Sequence, residues 1–175
     1  MNTWLLRHTA VAVPAGYCYG RTDVPLAASF DADAAALTAR LPKGHLAIVS
    51  SPSIRCRTLA ARLGTTAAID ERLHELDFGE WEMRPWDGIP RDQLEVWAKD
   101  FVHNRPPGGE SFTELQARAY AALSDAKSAA AGQPLLLCTH AGVIRALLAT
   151  ARGLPLDDAF SIRFDFGSLH ELTNP

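Results

Sequence analysis

The run Gln133-Pro134-Leu135-Leu136-Leu137-Cys138-Thr139-His140-Ala141-Gly142-Val143-Ile144-Arg145 decides how this chain is read. An unbroken short apolar stretch, here predicted as a strand over 133–139, is the pattern of a strand buried on both faces of a parallel sheet. It turns polar at Thr139 and His140, and Gly142 leads at once into an apolar helix predicted over 143–152, ended by Gly153 and Pro155. Such a junction sets polar side chains at the carboxyl edge of a sheet, where ligands of open α/β sheets bind. The adjoining helix N-terminus favours an anion there.

Two further junctions repeat the pattern. Residues 3–8 read as a first strand ending in Leu6-Arg7-His8-Thr9, and a loop follows over 9–29. Residues 45–51 read as a second strand, running through Ser50-Ser51-Pro52-Ser53-Ile54-Arg55 into a helix over 53–63 stopped by Gly64. Between them, 31–41 has the alanine-rich content of a helix. A short third strand is expected over 65–70, an irregular stretch over 73–90, and a helix over 91–103 with Pro90 at its first turn. Ser111-Phe112-Thr113-Glu114 is a capping box that opens a long helix through Ala131. Residues 161–166 and 168–173, joined at Gly167, suggest a terminal strand pair, either a dimerising edge or the sheet margin. The alternation predicts a three-layer α/β/α sandwich around a mostly parallel sheet.

The 175 residues fit one domain at roughly 100–200 residues each, here with a small cap-like insertion around 78–110. With 17 basic against 20 acidic side chains, the net charge of −3 argues against a nucleic-acid binder with an electropositive surface. It leaves room for a small anion in a local cationic pocket. Only Lys43, Lys99 and Lys127 are lysine; the other basic residues are arginine, whose planar fork suits oxyanions. Cys18, Cys56 and Cys138 are odd in number and lack metal-ligand spacing, which fits a reducing compartment. Arg7 interrupts the first apolar run and Arg145 the richest one, so neither a signal peptide nor a membrane span is expected. A soluble cytoplasmic protein, monomer or homodimer, with no nucleic-acid or membrane partner, is the expectation.

The side chains that converge at the three junctions are Arg7, His8, Arg55 and His140. Two guanidinium forks and two imidazoles make a phosphate cage; the pattern alone leaves open which histidine attacks.

These residues also carry a resemblance. Leu6-Arg7-His8, Ser51-Pro52-Ser53-Ile54-Arg55-Cys56-Arg57, Leu73-His74-Glu75-Leu76-Asp77-Phe78-Gly79-Glu80-Trp81-Glu82, Pro107-Gly108-Gly109-Glu110-Ser111 and Thr139-His140-Ala141-Gly142-Val143-Ile144-Arg145 resemble, in order, five motifs of the histidine phosphatase (phosphoglycerate mutase-like) superfamily. The first loop, Gly16-Tyr17-Cys18-Tyr19-Gly20 and Asp23-Val24-Pro25-Leu26, is similar to the α-ribazole phosphatase branch, as are Thr9 and Ala141 where the wider family has glycine. The family's first-loop asparagine and glutamine fall near Pro14 and Tyr19, so those two phosphate contacts are absent or replaced.

The resemblance implies that His8 attacks phosphorus and becomes a phosphohistidine, with Arg7, Arg55 and His140 stabilising the equatorial oxygens. Tyr19, Gly20, Thr139 and Ala141 would add substrate contacts, and neither a metal nor another cofactor is implied. Glu75 matches the proton donor and acceptor; Glu80 is the next candidate, and Asp77 and Glu82 read as loop or salt-bridge residues. Trp81, Trp86 and Trp97 either stack on a flat substrate ring or, the simpler reading, pack the helix over 91–103 onto the sheet. His45, His74, His103 and His170 read as surface or structural, Arg57 and Arg62 as helix-face residues, and Cys56 and Cys138 as small buried packers. The implied reaction is hydrolysis of a phosphomonoester, α-ribazole 5′-phosphate or adenosylcobalamin 5′-phosphate. The alternatives are a broad-specificity sugar or nucleotide phosphatase, a phosphoglycerate mutase, or a non-catalytic phosphate-binding module. The short chain leaves little room for mutase segments that would close the site, which favours hydrolysis.

Overall fold

Strand β1 (Thr3–Arg7) pairs in parallel with the fully buried β4 (Leu135–Thr139), and this pair forms the centre of a five-stranded sheet. The computed structural model describes residues 2–42, 44–64 and 66–173. Next to β4 lies β2 (Ala47–Ser50), then β3 (Ala68–Ile69), both parallel to it; β5 (Leu169–Leu172) flanks β1 antiparallel. The sheet order is therefore β3-β2-β4-β1-β5, mostly parallel, as the strand–helix alternation predicts.

Side chains alternate across the sheet because successive residues of a strand point to opposite faces. Leu5, Leu135 and Leu137 face one core, completed by α4 (Phe112–Ala129) and α5 (Ala141–Ala151) through residues such as Leu115, Ala119 and Ile144. Leu6, Leu136 and Cys138 face the other, completed by α1 (Phe30–Arg40) and α2 (Ile54–Arg62) through Ala34, Leu37 and Leu59. The capping box forms: Ser111 Oγ accepts from Glu114 N, and the Glu114 carboxylate accepts from Ser111 N at 2.8 Å. Among the described residues no helix is long and apolar enough to cross a membrane.

Three expectations change. Residues 161–166 are not a strand. A 3₁₀ turn occupies Leu156–Ser161, and the carbonyls of Ile162 and Phe164 accept from Arg145 Nε and Arg7 Nη1, each at 3.1 Å. Arginines thus take acceptors that a strand ladder would have used, and only β5 survives of the expected pair. The helix over 91–103 ends early, as α3 (Arg91–Lys99), because the Asp100 carboxylate accepts from His103 N and closes a turn. The third strand shrinks to two residues, and its expected start at Thr65 lies outside the described residues.

The tryptophans pack. Trp81 is buried with Cys18 and Ile89; Trp86, Trp97 and Phe78 cover them, and Trp86 stacks on Trp97 with ring centres 6.2 Å apart. Trp97 also reaches the main core, so α3 is held against the first loop as well as the body of the domain. Burial in this cluster pushes the Cys18 thiol up to about 12.

Candidate active site

Parallel pairing of β1 with β4 delivers two histidines to one place. Arg7 stands opposite Thr139, and His8 N donates to Thr139 O at 3.1 Å as the strands end. The His8 and His140 rings then meet edge-on, 5.3 Å between centres. His8 is 2% exposed, and its Nδ1 lies 2.7 Å from Thr9 O. A carbonyl can only accept, so Nδ1 carries the proton and Nε2 keeps its lone pair. Burial, then the charges of Arg55 and Arg7, push the His8 pKa down to about 3 against the Thr9 bond, so the ring is neutral at pH 7.

Arg55, in the first turn of α2, is fully buried. Its Nη2 donates to Gly20 O at 2.6 Å, its Nη1 to Thr22 O at 3.0 Å, and its Nε to His140 Nδ1 at 3.3 Å. Glycine is required at position 20: a Cβ there would run into Leu76 O, Glu82 and Phe78. Arg7, held by Phe164 O, lies 3.9 Å above the Phe166 ring, and its charge acts on the Tyr19 phenol. Burial lowers the Arg7 pKa, with Tyr19, Glu75 and Asp165 opposing. The Tyr19 ring also lies 5.6 Å from the Arg55 guanidinium, and the charges of both arginines act on its phenol.

Glu75 enters from the segment after β3. Both its carboxylate oxygens lie 3.1 Å from Gly142 N at the start of α5, and Oε1 also accepts from Leu76 N at 2.9 Å. A Cβ at position 142 would collide with Glu75 Oε1, so glycine admits the carboxylate to the helix terminus. The competing carboxylates are occupied or exposed. Glu82 accepts from Arg21 N and Thr22 N, Asp77 from Gly79 N, and Glu80 is exposed. Thr139 and Ala141 sit at the same edge: the Thr139 hydroxyl donates to Leu73 O at 2.8 Å, tying the Glu75 segment to β4, and Ala141 begins α5.

Two arginines that the sequence reading passed over belong to this neighbourhood. Arg118 on α4 donates through Nη1 to Arg72 O and His74 O, both at 2.6 Å, and through Nη2 to Glu75 O at 3.0 Å. Its Nε and Nη2 also bond Glu110, whose carboxylate accepts from Asp77 N at 3.0 Å. The signal was a charged residue beside the buried stripe Leu115, Ala119 and Ala122 of the same helix. Arg145, given no role at the site by its motif, lies with its guanidinium 5.1 Å from each of the Phe160 and Phe164 rings and feels both Glu75 and Arg7. His74, read as surface or structural, is half-buried against Ser53.

Comparison with known proteins shows what the chain and its fold are similar to. A phosphoglycerate mutase from Thermus thermophilus is 31% identical, covering 98% of this chain and 92% of that one, with a TM-score of 0.78. The α-ribazole phosphatase from Shigella flexneri is 26% identical over 98% of this chain and 89% of that one, with a TM-score of 0.87. A probable phosphoglycerate mutase of Yersinia pestis (strain Pestoides F) is 39% identical over 103 residues, 57% of this chain and 47% of the relative. The match to this chain thus spans about half the length of that curated relative. The model of the histidine phosphatase superfamily (branch 1) matches residues 3–174, and the chain belongs to that superfamily.

Proposed function

We propose that the protein is a metal-independent phosphomonoesterase that works through a phosphohistidine at His8. The observation that carries this reading is the buried, neutral His8, whose Nδ1 proton is held by Thr9 O while Arg7 and Arg55 flank it. The Nε2 lone pair attacks phosphorus, a P–N bond forms, and the P–O ester bond breaks. The departing oxygen takes a proton from Glu75. Water then attacks the phosphohistidine, Glu75 recovers a proton from it, the P–N bond breaks, and inorganic phosphate leaves. Arg7 and Arg55 offset the charge on the equatorial oxygens of a loose transition state, and His140, accepting from Arg55 Nε, holds that guanidinium in place.

Two buried polar atoms beside this centre, Arg7 Nε and Thr9 Oγ1, have no partner among the described residues. Buried polar groups in native proteins are nearly always bonded, and a ligand oxyanion or water would complete these two. For the substrate, the first-loop resemblance and the likeness to the Shigella phosphatase support α-ribazole 5′-phosphate or its adenosylcobalamin counterpart. Three free, buried cysteines support action in a reducing compartment. The likeness to mutases favours a second reading, in which the phosphoryl group passes to another hydroxyl.

One experiment tests these together. Wild type and His8→Ala are assayed with EDTA on p-nitrophenyl phosphate, α-ribazole 5′-phosphate, adenosylcobalamin 5′-phosphate, 3-phosphoglycerate and common sugar phosphates. Metal-independent phosphate release lost in His8→Ala, with a preference for the ribazole compounds, is the expected result. Equal activity in the variant overturns the histidine nucleophile, and isomerised phosphoglycerate without phosphate release overturns hydrolysis.

A further inference from the structure

His140 is bonded at both ring nitrogens, and it forms one end of a chain that leads out of the core. Arg55 Nε can only donate, so His140 Nδ1, 3.3 Å away, accepts. The neutral ring then carries its proton on Nε2, which lies 2.8 Å from Ser51 Oγ. The Ser51 hydroxyl donates in turn to Ser53 Oγ at 3.4 Å. Ser53 Oγ lies 3.2 Å from His74 Nδ1, and His74 Nε2 lies 3.3 Å from the exposed Glu71 carboxylate. With the His74 proton on Nε2, facing Glu71, its Nδ1 accepts from Ser53. Every donor in the series therefore points one way, from His140 through Ser51 and Ser53 to His74. Ser51 and Ser53 are both buried, which keeps water from substituting for either link.

We propose that His74 is a positioning residue for this site: acting through Ser53 and Ser51, it holds the proton of His140 on Nε2, and phosphate capture responds to its titration. A protonated His74 donates from both nitrogens. Ser53 then loses its acceptor and turns its hydroxyl toward Ser51, and Ser51 turns toward His140 Nε2. That nitrogen can accept only if the His140 proton moves to Nδ1, where the Arg55 N–H already points. Either the Arg55–His140 bond or the Ser51–His140 bond is lost. A proton taken up at the outer end is thereby felt beside His8. The inference rests on the phosphatase reading only for its effect on phosphate.

The groups around both ends set the direction. His74 faces Glu71 on its own segment, Arg21 from the first loop, Arg118 from α4 and Arg55 from α2; burial is the largest influence and lowers its pKa, with only Glu71 opposing. His140 is held well below the usual range by burial first, then by Arg55, His8, His74 and Arg118. The Cys56 thiol, 3.6 Å from His140 Nε2, has Thr139 O as an acceptor at 3.5 Å. The response therefore falls on the acid side of neutrality, below the ordinary histidine value of about 6.5.

The test is histidine ¹⁵N NMR of the whole chain from pH 8 to pH 5, with the dissociation constant of inorganic phosphate measured across the same range. In wild type, His140 is expected as the Nε2–H tautomer at pH 8, and its nitrogen shifts change at the pH where His74 titrates. Phosphate affinity changes there by about 2- to 10-fold, the worth of one hydrogen bond. Ser53→Ala and His74→Gln are expected to abolish both responses, and Ser53→Thr, which keeps the hydroxyl, to retain them. A wild-type His140 protonated on Nδ1 at pH 8 overturns the proposal. So does a response that persists in Ser53→Ala, which would mark a field acting through space. A wild type that binds no phosphate overturns the phosphatase reading and the capture half of this proposal, while the tautomer of His140 is still read without turnover.

Discussion

The Glu75 carboxylate is seated on the backbone N–H of Gly142, 3.1 Å from each of its oxygens, at the first turn of α5. That helix begins directly after His140, so one helix start places both the candidate acid and the second histidine of the site. The same anchoring fixes the carboxylate relative to the phosphorus that His8 would attack.

Glu75→Gln is expected to lower turnover of an alkyl phosphate by about 10²- to 10⁴-fold, the usual worth of general acid–base catalysis. With p-nitrophenyl phosphate, whose leaving group needs no proton, the loss should be much smaller. Steady-state rates on the two substrates check this, and equal losses would remove Glu75 from the role.

Gly142→Ala separates geometry from stability. The new Cβ collides with Glu75 Oε1, and a displacement of about 1 Å at a reacting group costs on the order of 10²-fold in rate. Alanine is favoured over glycine within a helix by about 1 kcal/mol, which works against any loss of stability. The expected outcome is a large fall in kcat on alkyl phosphates with little change in Tm.

Arg118→Met should destabilise the domain. Arg118 and Glu110 are mostly buried, with side-chain exposures of 16% and 12%, and Arg118 bonds three carbonyls of the Glu75 segment. Removing one partner of a buried pair costs about 3–5 kcal/mol because the other charge stays buried. Urea unfolding measures it, and a cost under about 1 kcal/mol would show that the clamp carries little.

Stability is expected to fall as pH drops from about 6.5 toward about 3. His8 is neutral in the folded protein until about pH 3, whereas an unfolded histidine takes a proton near 6.5. Between those values the unfolded chain binds more protons, so acid favours unfolding, while above about 6.5 this contribution is constant. Burial lowers His140, His74 and His170 in the same direction. Urea midpoints against pH should show a shallower slope in His8→Asn; an unchanged slope would mean that His8 is not held neutral.

Removing the nucleophile itself should leave almost nothing. His8→Asn is expected to lose at least about 10³-fold in kcat/KM, as for other covalent nucleophiles. Quenching wild type and labelled substrate in alkaline detergent should trap a base-stable phosphoryl-enzyme that is lost on later acid treatment and that the variant lacks.

The main elements were legible because their signals are local. A proline, three leucines and a sudden polar pair announced β4 and its edge, and Ser111 with Glu114 announced the start of α4. The arginine–histidine convergence was legible because three junctions shared one form. What misled the reading was also local: Ser161 to Phe166 carries strand-like composition, yet Arg7 and Arg145, distant in sequence, claim its carbonyls. Packing was the simpler reading of the tryptophans, but nothing local showed that Cys18 of the first loop would be part of their cluster.

By itself the sequence determined the alternation of strands and helices from β1 to α5 and the identity of Arg7, His8, Arg55, Glu75 and His140 as candidates. These depend on propensity, periodicity and motif, which act over a few residues. Only the tertiary structure decided that Glu75 rests on Gly142, that Arg118 holds its segment by three carbonyls, and that Ser51 and Ser53 join His140 to His74. Each is a hydrogen bond between groups distant in the chain, made to backbone atoms or common side chains. Such bonds arise only when the folded sheet closes the distance, and their residue types carry no signal of the partner they will meet.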